Sequence, residues 1–100
     1  MRIKEISNMI RSDRLQWKGH ALRRMLERDI SREEVKNALL NGEVIEEYKD
    51  DFPFQSCLFL GFIKKKPIHI VCALAQDFLW IITAYYPDPH KWQEDFKSRR

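Results

Sequence analysis

Three long apolar runs separated only by short turns fill the second half of the chain, and they constrain the fold more than any other feature. The runs cover residues 56–63, 68–75 and 79–86. Each has the length of a strand, and the first two are almost continuously apolar, which is typical of central strands covered on much of both faces. Because the connections are too short for a crossover, the runs predict an antiparallel meander.

A helical pattern precedes the strands. Isoleucine recurs at positions 3, 6 and 10, which predicts a first helix over residues 3–10. A second helix is predicted over residues 20–28, and a third begins at Ser31, where Ser31 and Glu34 form a capping box, and ends at residues 41–42. A further strand is predicted over residues 43–49, and a short polar tail with at most one helical turn, anchored by Trp92 and Phe96, closes the chain.

These elements predict one domain over residues 1–100. Helices that come first, followed by strands with short connections, indicate the α+β class. The predicted architecture is a set of N-terminal helices packed on one face of a four-stranded antiparallel sheet.

The predicted second helix combines a histidine with arginines. At roughly 100° per residue, His20 and Arg24 share its outer side, with Arg28 at the flank. A neutral imidazole accepts protons as a general base, and guanidinium groups hold phosphate. The cluster therefore indicates an anionic partner such as a phosphodiester, although a solvated helix face would look the same. The inner side is predicted to hold Leu22, Met25 and Leu26.

Three strand residues are further candidates for a site. His69 is either a hydrogen-bonded core residue or a second acid–base group that faces the helix carrying His20. Thr83 and Tyr85 alternate onto one face of the last strand, where they would bind phosphate, stack on a base or form a cross-strand packing pair. The lysine run at residues 64–66 is either a solvated hairpin tip or a contact with a nucleic-acid backbone.

Composition narrows the partners and the compartment. The formal net charge of +3 allows a nucleic-acid partner without requiring one. No apolar run approaches the roughly 20 residues of a membrane span, and the first residues lack a secretory apolar segment, so we expect a cytoplasmic protein without membrane association. Cys57 and Cys72 predict buried free thiols, although pairing across a hairpin would also allow a disulfide. The dispersed histidines predict neither a metal site nor a cofactor.

The candidate residues stand in an ordered series of motifs that resembles an uncharacterised prokaryotic domain of unknown function. The resemblance covers about residues 17–92. Asp29 departs from it, because such proteins usually have glycine at this predicted helix C-terminal cap. The motifs are His20-Ala-x-x-Arg24-Met-x-x-Arg28-x-Ile-Ser31, then Val35, Leu39 and Gly42, then Pro67-Ile-His-Ile-Val71, and Ile82-Thr-x-Tyr85-x-Pro87-Asp88.

That domain is distantly similar to the RelE and BrnT type ribonuclease toxins. The resemblance implies a RelE-like fold, metal-independent cleavage of RNA by acid–base groups, and an antitoxin protein as partner. The catalytic residues would be His20, Arg24 and His69. The residues that hold RNA would be Arg28, Thr83 and Tyr85.

A module without catalysis is the alternative. It would use the same face to bind nucleic acid or an acidic protein, or it would be a homo-oligomer whose exposed aromatic surface is an interface. An enzyme needs His20 beside Arg24 and near a sheet residue such as His69 or Thr83, around a cleft. A binding module would leave His20 apart from other titratable groups on a flat basic face.

Overall fold

The computed structural model describes the backbone of residues 3–100 and the side chains of residues 4–100. The helices are α1 (Ile3–Arg11), α2 (Gly19–Glu27) and α3 (Arg32–Leu40). The strands are β1 (Leu15–Trp17), β2 (Glu43–Tyr48), β3 (Ser56–Ile63), β4 (Lys66–Ala75) and β5 (Phe78–Tyr85).

Local signals in the sequence fix most of these bounds. The predicted helices and strands agree with the observed ones to within two residues at each end. The capping box is formed, because the amide of Glu34 donates to Ser31 Oγ at 3.1 Å and the amide of Ser31 donates to the Glu34 carboxylate at 2.9 Å. Asp29 follows the C-cap of α2 in a left-handed conformation with φ of 57°, as expected for the residue just after a helix end.

The strands form one mixed sheet in the order β1-β5-β4-β3-β2. Strands β2 to β5 make the antiparallel meander that the apolar runs predict. Strand β1 is parallel to β5, with Leu15 opposite Leu79, so the prediction of four antiparallel strands is wrong in number and direction. Three residues are too few to show the alternating pattern of a strand. Strand β1 is stabilised by its pairing with β5, and next to it the Leu79 amide donates to the Arg14 carbonyl at 2.9 Å.

The helices cover one face of the sheet, called here the inner face. Helix α2 packs mainly against β5, and α3 packs mainly against β3. Ile68 and Ile70 of β4 are fully buried there with Met25 and Val35 from the helices. Since successive strand residues point to opposite faces, His69 lies on the other, outer face.

A bulge in β5 adjusts which residues reach the outer face. Val71 pairs with Thr83 and Cys72 pairs with Ile81, so Ile82 is an extra residue on β5. The alternation of faces therefore shifts at Ile82, and Trp80 before it and Thr83 after it both face outward. Without the bulge, these two residues would lie on opposite faces.

The tail (residues 87–100) folds back over part of the outer face. It consists of turns with one bridge between Trp92 and Arg99, so the predicted helical turn is not formed. Trp92 is 3% exposed and anchors the tail as predicted. A helix of so few residues is only marginally stable, because its nucleation is costly.

Cys57 and Cys72 lie opposite each other on β3 and β4, with the two sulfurs 3.7 Å apart. Both cysteines are fully buried and no disulfide joins them, which confirms the predicted reduced state of the pair. None of the helices in the described part of the chain is long and apolar enough to span a bilayer.

Candidate functional site

Helix α2 is rotated about its axis relative to the predicted orientation. Ala21 and Met25 are its buried residues, whereas Leu26 is 84% exposed. The prediction that Leu26 lies on the inner side is therefore wrong, while Leu22 is half-buried. Ala21 is fully buried while α2 packs mainly against β5, and a ranking by hydrophobic size does not anticipate that an alanine is buried where Leu26 is not.

The polar candidates of α2 lie away from the sheet. His20 and Arg24 are exposed, and Arg28 is half-buried. Arg24 makes an ion pair with Glu27 at 3.2 Å, and Arg28 Nη1 donates to the Arg24 carbonyl at 3.3 Å. These contacts are local to the helix, so they do not connect the cluster to any strand residue.

His69 is fully buried and is held on both ring nitrogens. Its Nε2 lies 2.8 Å from the Phe96 carbonyl oxygen, and its Nδ1 lies 3.3 Å from the Tyr85 hydroxyl. A carbonyl oxygen only accepts, so Nε2 carries the proton and Nδ1 accepts from Tyr85. Burial lowers the pKa of His69 below its ordinary value, which keeps the ring neutral at neutral pH. His69 is therefore a hydrogen-bonded core residue.

The sheet separates the candidates into two groups. The strand candidates His69, Thr83 and Tyr85 share the outer face, and His69 contacts Tyr85 directly. The helix candidates lie with α2 on the inner side. The structure thus brings His69 and Tyr85 together and leaves His20 apart from both of them.

A groove on the outer face is a candidate that the sequence reasoning missed. This aromatic groove is a cavity of about 370 Å³ between the β2–β3 loop and the end of β5 next to the β4–β5 turn. Its lining consists of Lys18, Pro53, Phe54, Ala75, Gln76 and Trp80. Aromatic rings with one cation and one amide are chemically suited to a flat, polar-edged ligand.

Lys18 and Trp80 form the centre of the aromatic groove. The Lys18 ammonium lies 4.9 Å from the centroid of the Trp80 ring, within cation–π range. The indole N–H of Trp80 donates to the Ala75 carbonyl at 3.3 Å, which fixes the ring plane. Lys18 is placed by β1, because its amide donates to the Ile81 carbonyl at 3.1 Å. Only the parallel pairing of β1 with β5 brings these residues together, and no local sequence signal reports it.

A second polar cluster on the outer face holds the tail. Arg99 donates from Nε and Nη2 to the two oxygens of Glu46, both at 3.0 Å, and its guanidinium lies 4.6 Å from the Trp92 ring. The Tyr48 hydroxyl donates to Glu46 at 2.5 Å. Burial and the Glu46 carboxylate raise the pKa of Tyr48 to about 12, and the Arg99 hydrogen bonds lower the pKa of Glu46. This cluster neutralises its own charge, so it attracts anions less than Lys18 does.

Comparison with known proteins yields one match. A family model described as a domain of unknown function, DUF4258, matches residues 17–86. No curated protein and no solved structure gives a match. The matched range contains Lys18, Trp80, helix α2 and His69, and it ends before the tail. A likeness to RelE or BrnT toxins, with the antitoxin that it implies, stays a prediction.

Proposed function

The chain belongs to the DUF4258 family of domains of unknown function, and we propose that it binds single-stranded RNA through the aromatic groove. The observation that carries the proposal is the Lys18 ammonium held over the Trp80 ring inside a cavity of about 370 Å³. Proteins that bind single strands without strong sequence preference combine base stacking on aromatic rings with attraction of phosphates to cations, and this pair offers both.

The groove supplies a distinct contact for each part of a nucleotide. The fixed Trp80 ring offers a face for a nucleobase, and Phe54, which is 46% exposed, stands on the loop across the groove. The Lys18 ammonium attracts a phosphate, and the Gln76 amide offers both donors and an acceptor to a base edge. A cavity of this size accommodates one unstacked base, and a duplex keeps its bases stacked inside.

We propose RNA rather than DNA because the sequence motifs resemble a domain that is distantly similar to ribonuclease toxins. The half-buried Thr83 and Tyr85 continue the outer face beyond Trp80, toward the tail. The five residue steps from Trp80 to Tyr85 extend roughly 17 Å at about 3.3 Å per residue. The Thr83 hydroxyl would meet the backbone of a strand that leaves the groove in that direction, whereas the Tyr85 hydroxyl already donates to His69.

The geometry supports binding better than the predicted ribonuclease activity. Cleavage without metal needs an acid and a base within reach of the same phosphodiester. His20 is exposed on α2, which packs on the inner face, whereas His69 lies on the outer face, buried beneath Trp92 with both nitrogens engaged. A role for His69 in cleavage would require the tail to leave the outer face.

Fluorescence anisotropy with a labelled 12-nucleotide RNA tests the proposal. We expect the single strand to bind more tightly than the same sequence in a duplex, in the presence of EDTA, with the RNA intact afterwards on a denaturing gel. The Lys18→Ala variant should bind more weakly, while Lys91→Ala, which removes an exposed cation of the tail, serves as the matched control. Equal affinity for both RNAs would refute base binding. Cleavage that His20→Ala abolishes would favour the ribonuclease instead.

A further inference from the structure

Two cysteines face each other in the core beneath the helices, and the proposed RNA binding uses neither of them. Cys57 of β3 and Cys72 of β4 are direct cross-strand partners, and both are fully buried among apolar side chains. Their sulfurs lie 3.7 Å apart, so that one thiol donates a hydrogen bond to the other. A single buried thiol is ordinary and packs as a small apolar group. Two thiols in contact at paired strand positions form a pair that can react with itself.

The strand pairing already provides the backbone geometry that a disulfide needs. Residues directly opposite each other on antiparallel strands have Cα atoms about 4.5–5.5 Å apart. Disulfides in proteins span Cα separations of about 4.4–6.8 Å. The sulfurs would approach by roughly 1.7 Å, from 3.7 Å to a bond length of about 2.0 Å. Rotation of the two side chains supplies this approach while the strands stay in place.

The two thiols differ in acidity, which gives them separate roles in an oxidation. The hydrogen bond from the Cys72 thiol lowers the pKa of Cys57, whereas the same contact, together with burial, raises the pKa of Cys72. Cys57 is therefore the thiolate that attacks an oxidant, and Cys72 is the thiol that reacts afterwards. Since β3 lies beside the edge strand β2, we expect a small oxidant to reach Cys57 through a local opening of that edge.

We propose that Cys57 and Cys72 are an oxidative modification site, which a peroxide converts into a disulfide between β3 and β4. The Cys57 thiolate attacks one oxygen of hydrogen peroxide and becomes a sulfenic acid, while the other oxygen leaves as hydroxide and takes up a proton to give water. The Cys72 sulfur then attacks the Cys57 sulfur, and the hydroxyl of the sulfenic acid leaves with the Cys72 proton as a second water. Two thiols and one peroxide thus give one disulfide and two waters.

Peptide mapping of the full chain after peroxide treatment tests the site. The folded protein is exposed to hydrogen peroxide, the excess is removed with catalase, and remaining thiols are alkylated with N-ethylmaleimide in urea. The tryptic peptides 50–64 and 66–91 each contain one cysteine and no methionine, so other oxidation does not obscure them. We expect these two peptides to be joined, lighter by two hydrogens than their sum, without maleimide, and separable by dithiothreitol.

The Cys72→Ala variant is the matched control. It keeps Cys57 but has no second thiol, so its peptide 50–64 should accumulate sulfinic acid, which adds the mass of two oxygens. Sulfinic acid at Cys57 in the unmodified protein would overturn the proposal, because Cys72 would then have failed to react with the sulfenic acid. Two cysteines that stay fully alkylatable after peroxide treatment of the folded protein, or a covalent dimer, would also overturn it.

Thermal unfolding of the reduced and oxidised proteins gives a second readout. The disulfide closes a loop over residues 57–72 and restricts the unfolded chain, so the Tm of the oxidised protein should be higher by about 5 °C or more. A disulfide that lowers the Tm would contradict the claim that the paired strands accept the bond. RNA affinity is measured on the reduced protein, so none of these outcomes decides the RNA proposal.

Discussion

The buried His69 imidazole is held in place by one residue of β5 and two residues of the tail. Tyr85 donates to one nitrogen, the Phe96 carbonyl accepts from the other, and Trp92 packs edge-on with ring centroids 4.4 Å apart. With every polar atom of the ring paired, the burial of His69 costs little while the ring stays neutral. Protonation would place an unpaired charge in this site, which gives the residue a pH-dependent effect on stability.

We expect acid to destabilise the fold through His69. Because burial lowers the pKa of His69, the unfolded chain binds the proton more readily than the folded protein. The stabilisation is complete above the unfolded pKa of about 6.5 and is lost as the pH falls toward the lowered folded pKa. Thermal unfolding followed by circular dichroism should show a Tm that decreases from pH 7.5 to pH 5.

The His69→Gln variant is the control for this effect. Glutamine keeps an N–H donor for the Phe96 carbonyl and does not titrate. Its Tm is expected to be lower at pH 7.5 but to change less with pH than that of the unmodified protein. An identical pH dependence in both proteins would mean that other groups cause the acid sensitivity.

Residues whose role is set by their sequence neighbours could be predicted, and others could not. The cap at Asp29 follows from the end of the helical pattern, and the structure has the expected positive φ of 57°. Leu26 could not be placed, because packing against β5 decides which side of α2 is buried, and the helix buries Ala21 and Met25 instead. His69 could be assigned to a strand, but its partners in the tail are contributed by turns that carry no periodic signal.

At the scale of elements, the approach of α3 to β3 depends on two glycines. A Cβ added at Gly61 would collide with the Ala38 carbonyl oxygen and its carbon, and one at Gly42 would lie 2.6 Å from the same oxygen. These shortest contacts are with backbone atoms of Ala38, and backbone shifts less easily than a side chain. Helix α3 therefore lies closer to the sheet than any other residue at these positions would allow.

The Gly61→Ala substitution should destabilise the protein strongly. Overpacking costs about 1–3 kcal/mol or more when the neighbour cannot move. Gly19→Ala is the matched control, since a Cβ there meets nothing within 4 Å at the start of α2. It should be neutral or stabilise the fold by about 0.4–1 kcal/mol. Urea unfolding of the two variants measures the difference, and equal stabilities would contradict the close packing of α3 on β3.

Most of the helices and strands could be predicted from the sequence, but β1 could not. Helices and meander strands follow from apolar spacing within ten residues, and they were predictable. Strand β1 depends on a partner at the far end of the chain, and it is too short to have a pattern of its own. The aromatic groove could not be predicted for the same reason, because Lys18 follows β1 and Trp80 belongs to β5.

On the scale of the whole molecule, the outer face is divided between the tail and the aromatic groove. The tail covers His69 and is pinned by the Arg99–Glu46 pair, while Lys97 makes a separate ion pair with Glu43 at 2.7 Å. The β2–β3 loop covers the opposite end and forms one wall of the groove. The same sheet therefore has one end closed by its own chain and one end open to a ligand.

The two ion pairs of the tail should differ in strength. Arg99 binds Glu46 through two hydrogen bonds and packs on Trp92, so we expect a coupling free energy of about 1 kcal/mol despite its exposure. The Lys97–Glu43 pair is a single contact between two half-exposed side chains, so it should couple more weakly. Double-mutant cycles with glutamine replacements, read by urea unfolding, measure both couplings. A weaker coupling for Arg99 than for Lys97 would contradict its proposed role in holding the tail.

Removal of the Trp80 ring tests the central claim, base binding in the aromatic groove, most directly. Stacking of one base is worth about 1–3 kcal/mol, so Trp80→Ala should weaken binding of the single-stranded RNA by roughly 5- to 150-fold in the anisotropy assay. Phe62→Ala removes an exposed ring elsewhere on the same face and should leave the affinity unchanged. Unchanged affinity in a folded Trp80→Ala protein would contradict the assignment of the groove to RNA.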